Sequence, residues 1–522
     1  MGRLIPRTMA SQHPDNAVLP SWCSGEVIAG EDEVREAYLS FSSYGCQEVM
    51  WDAEGKDIDP HVVRKLLTTY PDYFKEKVLG RDVFLTLRIP NPLIEVPERK
   101  VFLESLQAIP RHNDIARIFY NGNGASVFEV ILPFTSSHTD IIRVKEVFRR
   151  CVVDPLKASI DFRGFTLKDL IGDVTPEDLE VIPLFEDIES ITNIDTIISK
   201  YVELFSPPYM RVFLARSDPA LTYGFITATL LAKIALSKCR AVYERMGIPV
   251  YPIIGCGCLP FRGHNSPTNV EKFVEEYSGV WTVTIQSAFR YDYPREIAVS
   301  AVERLNNLLP HGEPRMLDKD SEDVALRCVS KLMRIYGDSL ENAAKEVNAK
   351  SGLIPPRRAR KLHIGLFSYS RRFRETTLPR AIPFTAFFYS LGLPPELIGL
   401  RAIRELSEEE YSIVRQLHIN LIHDLTFAAR HVSWENLSLL AEKELDVQKV
   451  FGSSFLDGFI PSYMEDIATA EEVLGIKCGP RTASDRRYVN TVENLLISLI
   501  EGDEREAKNE LLKSAMMRGS LG

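Results

Sequence analysis

Residues 181–217 read VIPLFEDIESITNIDTIISKYVELFSPPYMRVFLARS and contain the pattern that decides the fold. An apolar run at 181–186 and a second at 210–217 flank the segment 196–205, whose apolar residues recur at helical spacing. Runs that are continuously apolar, rather than alternating with polar residues, are typical of parallel strands covered on both faces. The stretch therefore predicts one strand–helix–strand unit with a right-handed crossover.

The same unit repeats on both sides of this stretch, with helical segments such as 61–78, 140–153 and 295–309 between the strands. The predicted strands are EVMWD (48–52), VFLTLRI (83–89), VFEVILPF (127–134), VIPLFE (181–186), MRVFLARS (210–217), VYPIIGCG (250–257), VWTVTIQSAF (280–289) and KLHIGLFSY (361–369). Eight such units predict an α/β fold of the closed (β/α)8 barrel type. An open doubly wound sheet is the alternative, but the sequence has neither a complete dinucleotide glycine fingerprint nor a GxxxxGK[ST] phosphate loop.

The barrel is predicted to be the central part of a single domain that spans residues 1–522. Residues 1–45 are expected to form an N-terminal arm that carries His13, and residues 46–380 the barrel itself. Residues 381–522 show mainly helical periodicity, which predicts a C-terminal block of additional helices.

Two sets of potential metal ligands are interpreted as structural. His418 and His423 lie five residues apart within 407–432, which the periodicity predicts to be one amphipathic helix, and five is the wrong interval for a metal pair on a shared helix face. Cys256 and Cys258 could bind a soft metal, but no second cysteine pair or histidine partner accompanies them. We interpret the histidines as packing residues and the cysteines as buried strand thiols.

Composition and charge narrow the class of protein. The 62 basic and 72 acidic residues give a net charge of −10 without a long basic block, which argues against nucleic-acid and membrane-surface partners. The 8 cysteines are scattered along the chain, as is typical of reduced thiols in the cytoplasm. The N-terminal sequence has no apolar signal region, and the longest apolar stretch, 224–236, is too short to span a bilayer. A cytoplasmic protein is therefore expected.

Acidic residues follow two successive predicted strands. Glu186 ends one strand and Asp218 follows the next, and neighbouring strands lie about 4.8 Å apart. Because polar side chains at the carboxyl ends of barrel strands converge on one face, both carboxylates can grip the same Mg²⁺ or Mn²⁺ ion. The alternative is that each carboxylate caps the helix that follows it.

Arginines are frequent at or just after the same strand ends. Guanidinium groups bind phosphate and carboxylate bidentately, so a cluster of them predicts a substrate that carries both groups, although any single one can be a structural ion-pair partner. His13 lies in the polar segment TMASQHPDN and is a candidate general acid or base, with an exposed or turn-capping histidine as the alternative. The candidate arginines are Arg88, Arg216, Arg262, Arg290, Arg371, Arg372 and Arg380.

Seven sequence blocks, in this order along the chain, resemble those of the archaeal-type phosphoenolpyruvate carboxylases, a short form of that enzyme. The resemblance runs from about residue 5 to the last residue and is highly specific, because several blocks are long. The blocks are TMASQHPDN (8–16), VMWDAEGKDID (49–59), IPLFEDIESI (182–191), VFLARSDPALTYG (212–224), LPFRGH (259–264), TVTIQSAFRYDYP (282–294) and LPRAIPFTAFFYSLGLP (378–394).

The resemblance implies a barrel of the phosphoenolpyruvate/pyruvate kind with extra helices, a divalent-metal requirement and a homotetramer. It makes Glu186 and Asp218 the metal ligands and His13 a catalytic residue, although the two residues that follow His13-Pro differ from those of the longer enzymes. It also makes Arg88 and Arg380 substrate-binding clamps for phosphate or carboxylate.

Further arginine roles follow from the resemblance. Arg262 is similar to the second, catalytic arginine of the glycine-rich loop in the longer enzymes, whereas the first arginine of that loop falls on Cys256. Another substrate-binding cation must therefore replace it, and Arg216 and Arg290 are the candidates. The arginine that assists carboxylation corresponds to one of two neighbours, Arg371 or Arg372.

The implied reaction joins phosphoenolpyruvate and bicarbonate into oxaloacetate and phosphate, through carboxyphosphate and an enolate. Two alternatives remain open from the residues alone. One is an aldolase-type lyase that acts on another 2-oxo acid, and the other is a paralogue that uses the barrel as a binding scaffold. Phosphate release and metal-dependent turnover separate the three hypotheses.

Overall fold

Eight parallel strands form a closed barrel, which confirms the predicted (β/α)8 fold. The computed structural model describes residues 3–53, 56, 58–122, 125–359, 371–373 and 376–522. The barrel strands are β1 (Thr8–Ala10), β2 (Glu48–Asp52), β3 (Phe84–Arg88), β4 (Glu129–Leu132), β5 (Glu180–Phe185), β6 (Met210–Ala215), β7 (Val250–Gly255) and β8 (Thr282–Ile285).

The first barrel strand differs from the sequence-based expectation. β1 lies inside the predicted N-terminal arm and closes the barrel, because Met9 pairs with Glu48 of β2 and also with Thr284 of β8. Three residues are too few to show a strand pattern in the sequence. The whole of the predicted strand 361–369 lies outside the described residues, and β1 to β8 close the barrel without it. His13 therefore lies three residues beyond the end of a barrel strand.

Helices connect the barrel strands and make up most of the C-terminal block. The predicted helical segment 61–78 contains two helices because Pro71 begins the second one, as proline favours the first helical position. The described α-helices are α1 (Glu31–Ser42), α2 (Val62–Thr69), α3 (Pro71–Glu76), α4 (Arg99–Phe119), α5 (His138–Phe148), α6 (Leu167–Ile171), α7 (Ile188–Thr192), α8 (Ile194–Phe205), α9 (Ser217–Tyr223), α10 (Phe225–Met246), α11 (Val270–Glu276), α12 (Ser287–Tyr291), α13 (Arg295–Leu308), α14 (Lys319–Lys350), α15 (Ala381–Ser390), α16 (Glu408–Leu417), α17 (Leu421–Ala429), α18 (Trp434–Glu442), α19 (Ile460–Glu472), α20 (Ala483–Glu501) and α21 (Glu504–Arg518).

Two features of the C-terminal half depart from simple helical packing. The predicted helix 407–432 is broken into α16 and α17, with residues 418–420 between them. A short antiparallel pair, β9 (Arg371–Phe373) and β10 (Thr376–Leu378), precedes α15. Among the described helices, none combines the length and apolar character needed to cross a membrane.

Layers of side chains fill the barrel and give it a floor. Near the amino ends of the strands, Arg211 forms ion pairs with Glu48 at 2.7 Å and with Glu129 at 2.9 Å, and all three side chains are almost fully buried. An apolar layer follows, made of Met9, Met50, Ile131, Ile182, Leu184, Phe213 and Ile253. Because these layers block the interior, polar side chains at the carboxyl ends of the strands face an opening on that side alone.

Candidate active site

Side chains from the ends of five strands converge on one small cavity of about 40 Å³, which we call the inner cavity. Its floor includes Met50, Leu184 and Phe213 of the apolar layer. The polar residues that line it are His13 after β1, Arg88 at the end of β3, Glu186 after β5, Arg216, Ser217 and Asp218 after β6, Gln286 after β8, and Arg380.

A second cavity of about 190 Å³, the outer cavity, adjoins the first. Both are lined by His13, Ser217, Asp218 and Arg380, so they form two parts of one site. Residues that line only the outer cavity include Pro14, Arg262, Ile354, Pro355, Pro356, Arg357, Ala381, Ile382, Pro383 and Leu521. The arm, the barrel and the C-terminal block therefore all contribute to the site.

His13 is held in place by its own segment. Its Nδ1 lies 2.9 Å from Ser11 Oγ, and the imidazole lines both cavities. The carbonyl oxygen of Ser11 accepts a hydrogen bond of 2.8 Å from Arg290 Nη2, and Arg290 is 2% exposed. The structure thus places a titratable imidazole, oriented by a buried hydroxyl, at the boundary between the two cavities.

Glu186 and Asp218 line the inner cavity together, and their role as metal ligands stays a prediction. Glu186 is 3% exposed, and its Oε2 accepts a hydrogen bond of 2.9 Å from the Phe134 backbone N–H. Asp218 lies in the first turn of α9. Two carboxylates that share one cavity form an all-oxygen donor set, which suits a hard divalent cation such as Mg²⁺ or Mn²⁺.

Cationic side chains surround these carboxylates. Arg88 and Arg380 line the inner cavity, and Arg88 Nη1 lies 3.4 Å from Asp52 Oδ2. Arg380 immediately precedes α15 and lines both cavities. A small anion that carries phosphate and carboxylate matches this arrangement, because each guanidinium can bind either group.

Arg262 lines the outer cavity and is 1% exposed. Its guanidinium donates to Asp15 Oδ2 at 3.1 Å, to Gln286 Oε1 at 2.6 Å and to the Gly522 carbonyl oxygen at 2.6 Å. Burial raises the pKa of Asp15, although the charge of Arg262 opposes this shift. Arg262 therefore joins three segments that are distant in sequence at one wall of the site.

The two arginines predicted to replace the missing loop cation are bound to protein groups. Arg216 donates to Tyr277 Oη at 3.0 Å and to Thr229 Oγ1 at 2.8 Å, and it is fully buried. Arg290 donates to Ser40 Oγ, Glu36 Oε1 and the Ser11 carbonyl oxygen, and it is not among the residues that line either cavity. Substrate binding by either arginine stays a prediction. The side chains of Arg371 and Arg372 lie outside the described part of the structure.

Several residues of the site were not predicted from the sequence. Gln286 and Ser217 line the inner cavity, and Asp15 anchors Arg262. Gln286 directly follows β8, so the rule that identifies the strand-end arginines also applies to it, but an uncharged residue lacks the charge on which that rule depends. Asp15 gave no comparable sequence pattern, because its partner Arg262 is distant in the sequence.

The two sets of residues interpreted as structural have different outcomes. Cys256 and Cys258 are 1% and 2% exposed, and burial raises the pKa of the Cys256 thiol to about 12, so the prediction of buried, inert thiols holds. Both cysteines lie beyond the end of β7, however, so they are loop and not strand residues. His423, however, lies with His264 and Asp424 in a group whose potential ligand atoms are within 4.8 Å of one another. None of these three residues is among those that line the inner or outer cavity.

Comparison with known proteins finds a family model and several relatives that match this chain. A family model described as "Phosphoenolpyruvate carboxylase" matches residues 5–522. Proteins named phosphoenolpyruvate carboxylase from Caldivirga maquilingensis and Metallosphaera sedula are 45% and 44% identical, and each match covers 100% of both chains. A protein of the same name from Methanothermobacter thermautotrophicus is 42% identical over 92% of this chain and 96% of its own length.

Proposed function

This chain belongs to the phosphoenolpyruvate carboxylase family, and from this premise we propose that the two cavities at the barrel mouth form its active site. The enzyme is a carboxy-lyase that converts phosphoenolpyruvate and bicarbonate into oxaloacetate and phosphate. The observation that carries the proposed site is the convergence of His13, Arg88, Glu186, Asp218 and Arg380 on the inner cavity.

The charges of these side chains match the charges of the substrates. Arg88 and Arg380 bind the phosphate and carboxylate of phosphoenolpyruvate, because guanidinium donors pair with both groups. Glu186 and Asp218 hold Mg²⁺ or Mn²⁺, since an ion of this kind requires oxygen ligands. When bound, the ion supplies Lewis-acid stabilisation for negative charge that develops on substrate oxygens.

The proposed reaction consists of phosphoryl transfer, release of carbon dioxide and carboxylation of the enolate. A bicarbonate oxygen attacks the phosphorus atom, the bond between phosphorus and the enol oxygen breaks, and carboxyphosphate and the enolate of pyruvate result. His13 accepts the proton of carboxyphosphate, which then divides into carbon dioxide and phosphate, and the phosphate takes this proton back from His13. The enolate carbon attacks carbon dioxide and forms the new carbon–carbon bond of oxaloacetate. Loss of phosphate makes the overall conversion irreversible, which suits a role in anaplerotic carbon fixation.

The arginines have a second role in this proposal. The enolate must meet carbon dioxide before water protonates it, because protonation would release pyruvate instead of oxaloacetate. Arg262 anchors one wall of the outer cavity with three buried hydrogen bonds, and this rigidity helps to exclude water. We assign a catalytic role to Arg262 and to one of Arg371 and Arg372, and a substrate-binding role to Arg216 or Arg290 as the cation that replaces the missing loop arginine.

The family premise extends to the assembly and the compartment. We propose a homotetramer in the cytoplasm that acts on small molecules and binds neither nucleic acid nor membranes. The net charge of −10 argues against nucleic-acid and membrane partners, and the scattered cysteines support the cytoplasmic location. The homotetramer rests on the family premise alone.

A coupled assay tests the proposed site. Phosphoenolpyruvate, bicarbonate and Mg²⁺ are supplied, oxaloacetate is measured by NADH oxidation through malate dehydrogenase, and phosphate is measured in parallel. We expect turnover to require bicarbonate, to stop with a chelator, and to fall at least about a hundredfold in Glu186→Gln and Asp218→Asn. Full activity in both variants would overturn the proposed metal ligands. Phosphate release without oxaloacetate in the wild type would overturn the roles of His13 and the arginines.

A further inference from the structure

A group of metal-ligating side chains lies apart from the two cavities. Potential ligand atoms of His264, His423 and Asp424 are within 4.8 Å of one another. His264 belongs to the segment between β7 and α11, whereas His423 and Asp424 are neighbours on α17. The group therefore joins a barrel loop to the C-terminal block.

The break between α16 and α17 brings these residues together. Residues 418–420 leave the helical path, and the Asn420 backbone N–H donates a hydrogen bond of 2.7 Å to Glu276 Oε2 of α11. Because α17 starts anew at this point, the interval between His418 and His423 no longer fixes their relative directions. His418 Nε2 lies 3.6 Å from Asp424 Oδ2, so both histidines are close to the group despite their unsuitable spacing in the sequence.

Neighbouring side chains fix which ring nitrogen of neutral His423 carries the proton. Its Nε2 lies 3.1 Å from Asn269 Oδ1, and Asn269 Nδ2 donates to the His264 carbonyl oxygen at 3.0 Å, which sets the orientation of the amide. An amide oxygen only accepts, so Nε2 carries a proton, and in the neutral ring Nδ1 then has a free lone pair. A ligating histidine whose other nitrogen donates to an oxygen is the arrangement usual around protein metal ions.

Neighbouring histidines also hold the carboxylate of the group, Asp424, in place. Asp424 is 6% exposed, and its Oδ1 lies 2.6 Å from His264 Nδ1. His418 faces the other carboxylate oxygen and is 1% exposed, and its Nδ1 has no hydrogen-bond partner among the described residues. This hydrogen bond joins His264 Nδ1 to Asp424 Oδ1, two potential ligand atoms, so metal binding would replace it.

We propose that His264, His423 and Asp424 bind a divalent transition-metal ion of the Zn²⁺ class. Two imidazole nitrogens and one carboxylate oxygen match the ligand preference of Zn²⁺, whereas Mg²⁺ prefers oxygen ligands alone. The exposed position of His423 leaves a coordination position for water. The ion fastens the segment that contains Arg262 to α17, and its role is structural, since none of the three ligands lines the inner or outer cavity.

Cobalt spectroscopy tests this site without an activity measurement. The full chain is stripped with a chelator and titrated with Co²⁺, whose visible absorption is strong at tetrahedral sites with nitrogen ligands. The double variant Glu186→Gln/Asp218→Asn removes the proposed catalytic carboxylates, so it separates the two sites. We expect this double variant to bind one Co²⁺ ion per chain and Zn²⁺ to displace it.

A variant of His423 tests whether this residue is a metal ligand. His423→Ala, in the same double-variant background, should weaken Co²⁺ binding at least about tenfold and abolish the rise in Tm that Zn²⁺ produces. His423 is exposed, so its loss should leave folding intact. His311→Ala is the matched control, because His311 contributes only its carbonyl oxygen to a described hydrogen bond. Absence of Co²⁺ absorption in the double variant, or unchanged absorption in His423→Ala, would show a hydrogen-bonded His–Asp pair instead of a metal site.

Discussion

At the scale of single residues, His13 depends on a chain of buried contacts that begins outside both cavities. Glu36 accepts a hydrogen bond of 3.0 Å from Arg290, and Arg290 donates in turn to the Ser11 carbonyl oxygen. Burial opposes ionisation of Glu36, but Arg358 and Arg290 outweigh it and lower the pKa of this carboxyl. Ser11 Oγ then contacts His13 Nδ1. Arg290 is thus a positioning residue for His13.

Replacement of His13 should separate substrate binding from carboxylation. In His13→Asn we expect phosphoenolpyruvate to bind with little change, because Arg88 and Arg380 remain. Oxaloacetate formation should fall at least about a hundredfold, since a general base is lost. Equilibrium dialysis with labelled phosphoenolpyruvate and the coupled assay measure the two quantities. Loss of binding in this variant would contradict the assignment of His13 as the base.

Removal of the Ser11 hydroxyl should affect catalysis more than substrate affinity. One hydrogen bond contributes about 1 kcal/mol, so we expect kcat of Ser11→Ala to fall about fivefold with KM for phosphoenolpyruvate nearly unchanged. The pH dependence of kcat should also shift, because the hydroxyl contacts the titrating ring. Ser11→Thr retains the hydroxyl and should restore both properties. A purely structural role would instead lower Tm and leave the pH profile in place.

At the scale of elements, the buried carboxyl of Glu396 is one of the groups that hold the loop 259–264 against the C-terminal block. Glu396 Oε1 accepts hydrogen bonds of 2.7 Å from the Phe261 backbone N–H and 2.7 Å from Tyr389 Oη. Burial raises the pKa of Glu396 from 4.5 to about 7. Glu396 Oε2 has no partner among the described residues, which is consistent with a proton on that oxygen.

The pH dependence of stability should report this proton. Between pH 4.5 and about 7, the unfolded chain ionises Glu396 while the folded chain retains the proton, so the free energy of unfolding falls as the pH rises. A shift of this size corresponds to about 3 kcal/mol of stability. This contribution is fully present below pH 4.5 and is lost above about pH 7. Glu396→Gln should remove this part of the pH dependence in denaturant titrations. An identical dependence in both proteins would show that Glu396 titrates normally.

Local patterns predicted most of the barrel, and the exceptions share one physical cause. Continuous apolar runs identified the strands from β2 to β8. The rule on strand ends brings Glu186 and Asp218 to one face, where both line the inner cavity, and their role as metal ligands stays a prediction. The sequence pattern did not predict β1, because a strand of three residues is defined by its pairing with Glu48 and Val283 and not by its own composition. The helix break at 418–420 was not predicted for the same reason: it depends on a long-range contact, because the hydrogen bond of Asn420 with Glu276 joins distant segments.

At the scale of the whole molecule, segments from opposite parts of the sequence meet at the site. Asp15 accepts a hydrogen bond of 2.7 Å at its carbonyl oxygen from the Leu521 N–H, and its carboxylate binds Arg262. Arg262 also donates to the Gly522 carbonyl oxygen. Residues near 15, 262 and 522 therefore form one buried hydrogen-bonded unit beside His13, so a change at residue 522 is expected to act on catalysis.

Gly522 offers a direct test of this unit. A Cβ atom at this position would lie 2.1 Å from the Ile382 carbonyl oxygen, so Gly522→Ala must displace residue 522 from Arg262. We expect kcat to fall at least about tenfold while Tm changes little, because one hydrogen bond of a buried arginine is lost beside the site and the barrel core is untouched. Gly352→Ala is the matched control, since nothing lies within 4 Å of its added Cβ, and it should behave as the wild type. Equal activity of the two variants would show that the unit formed by Asp15, Arg262 and Gly522 does not support catalysis.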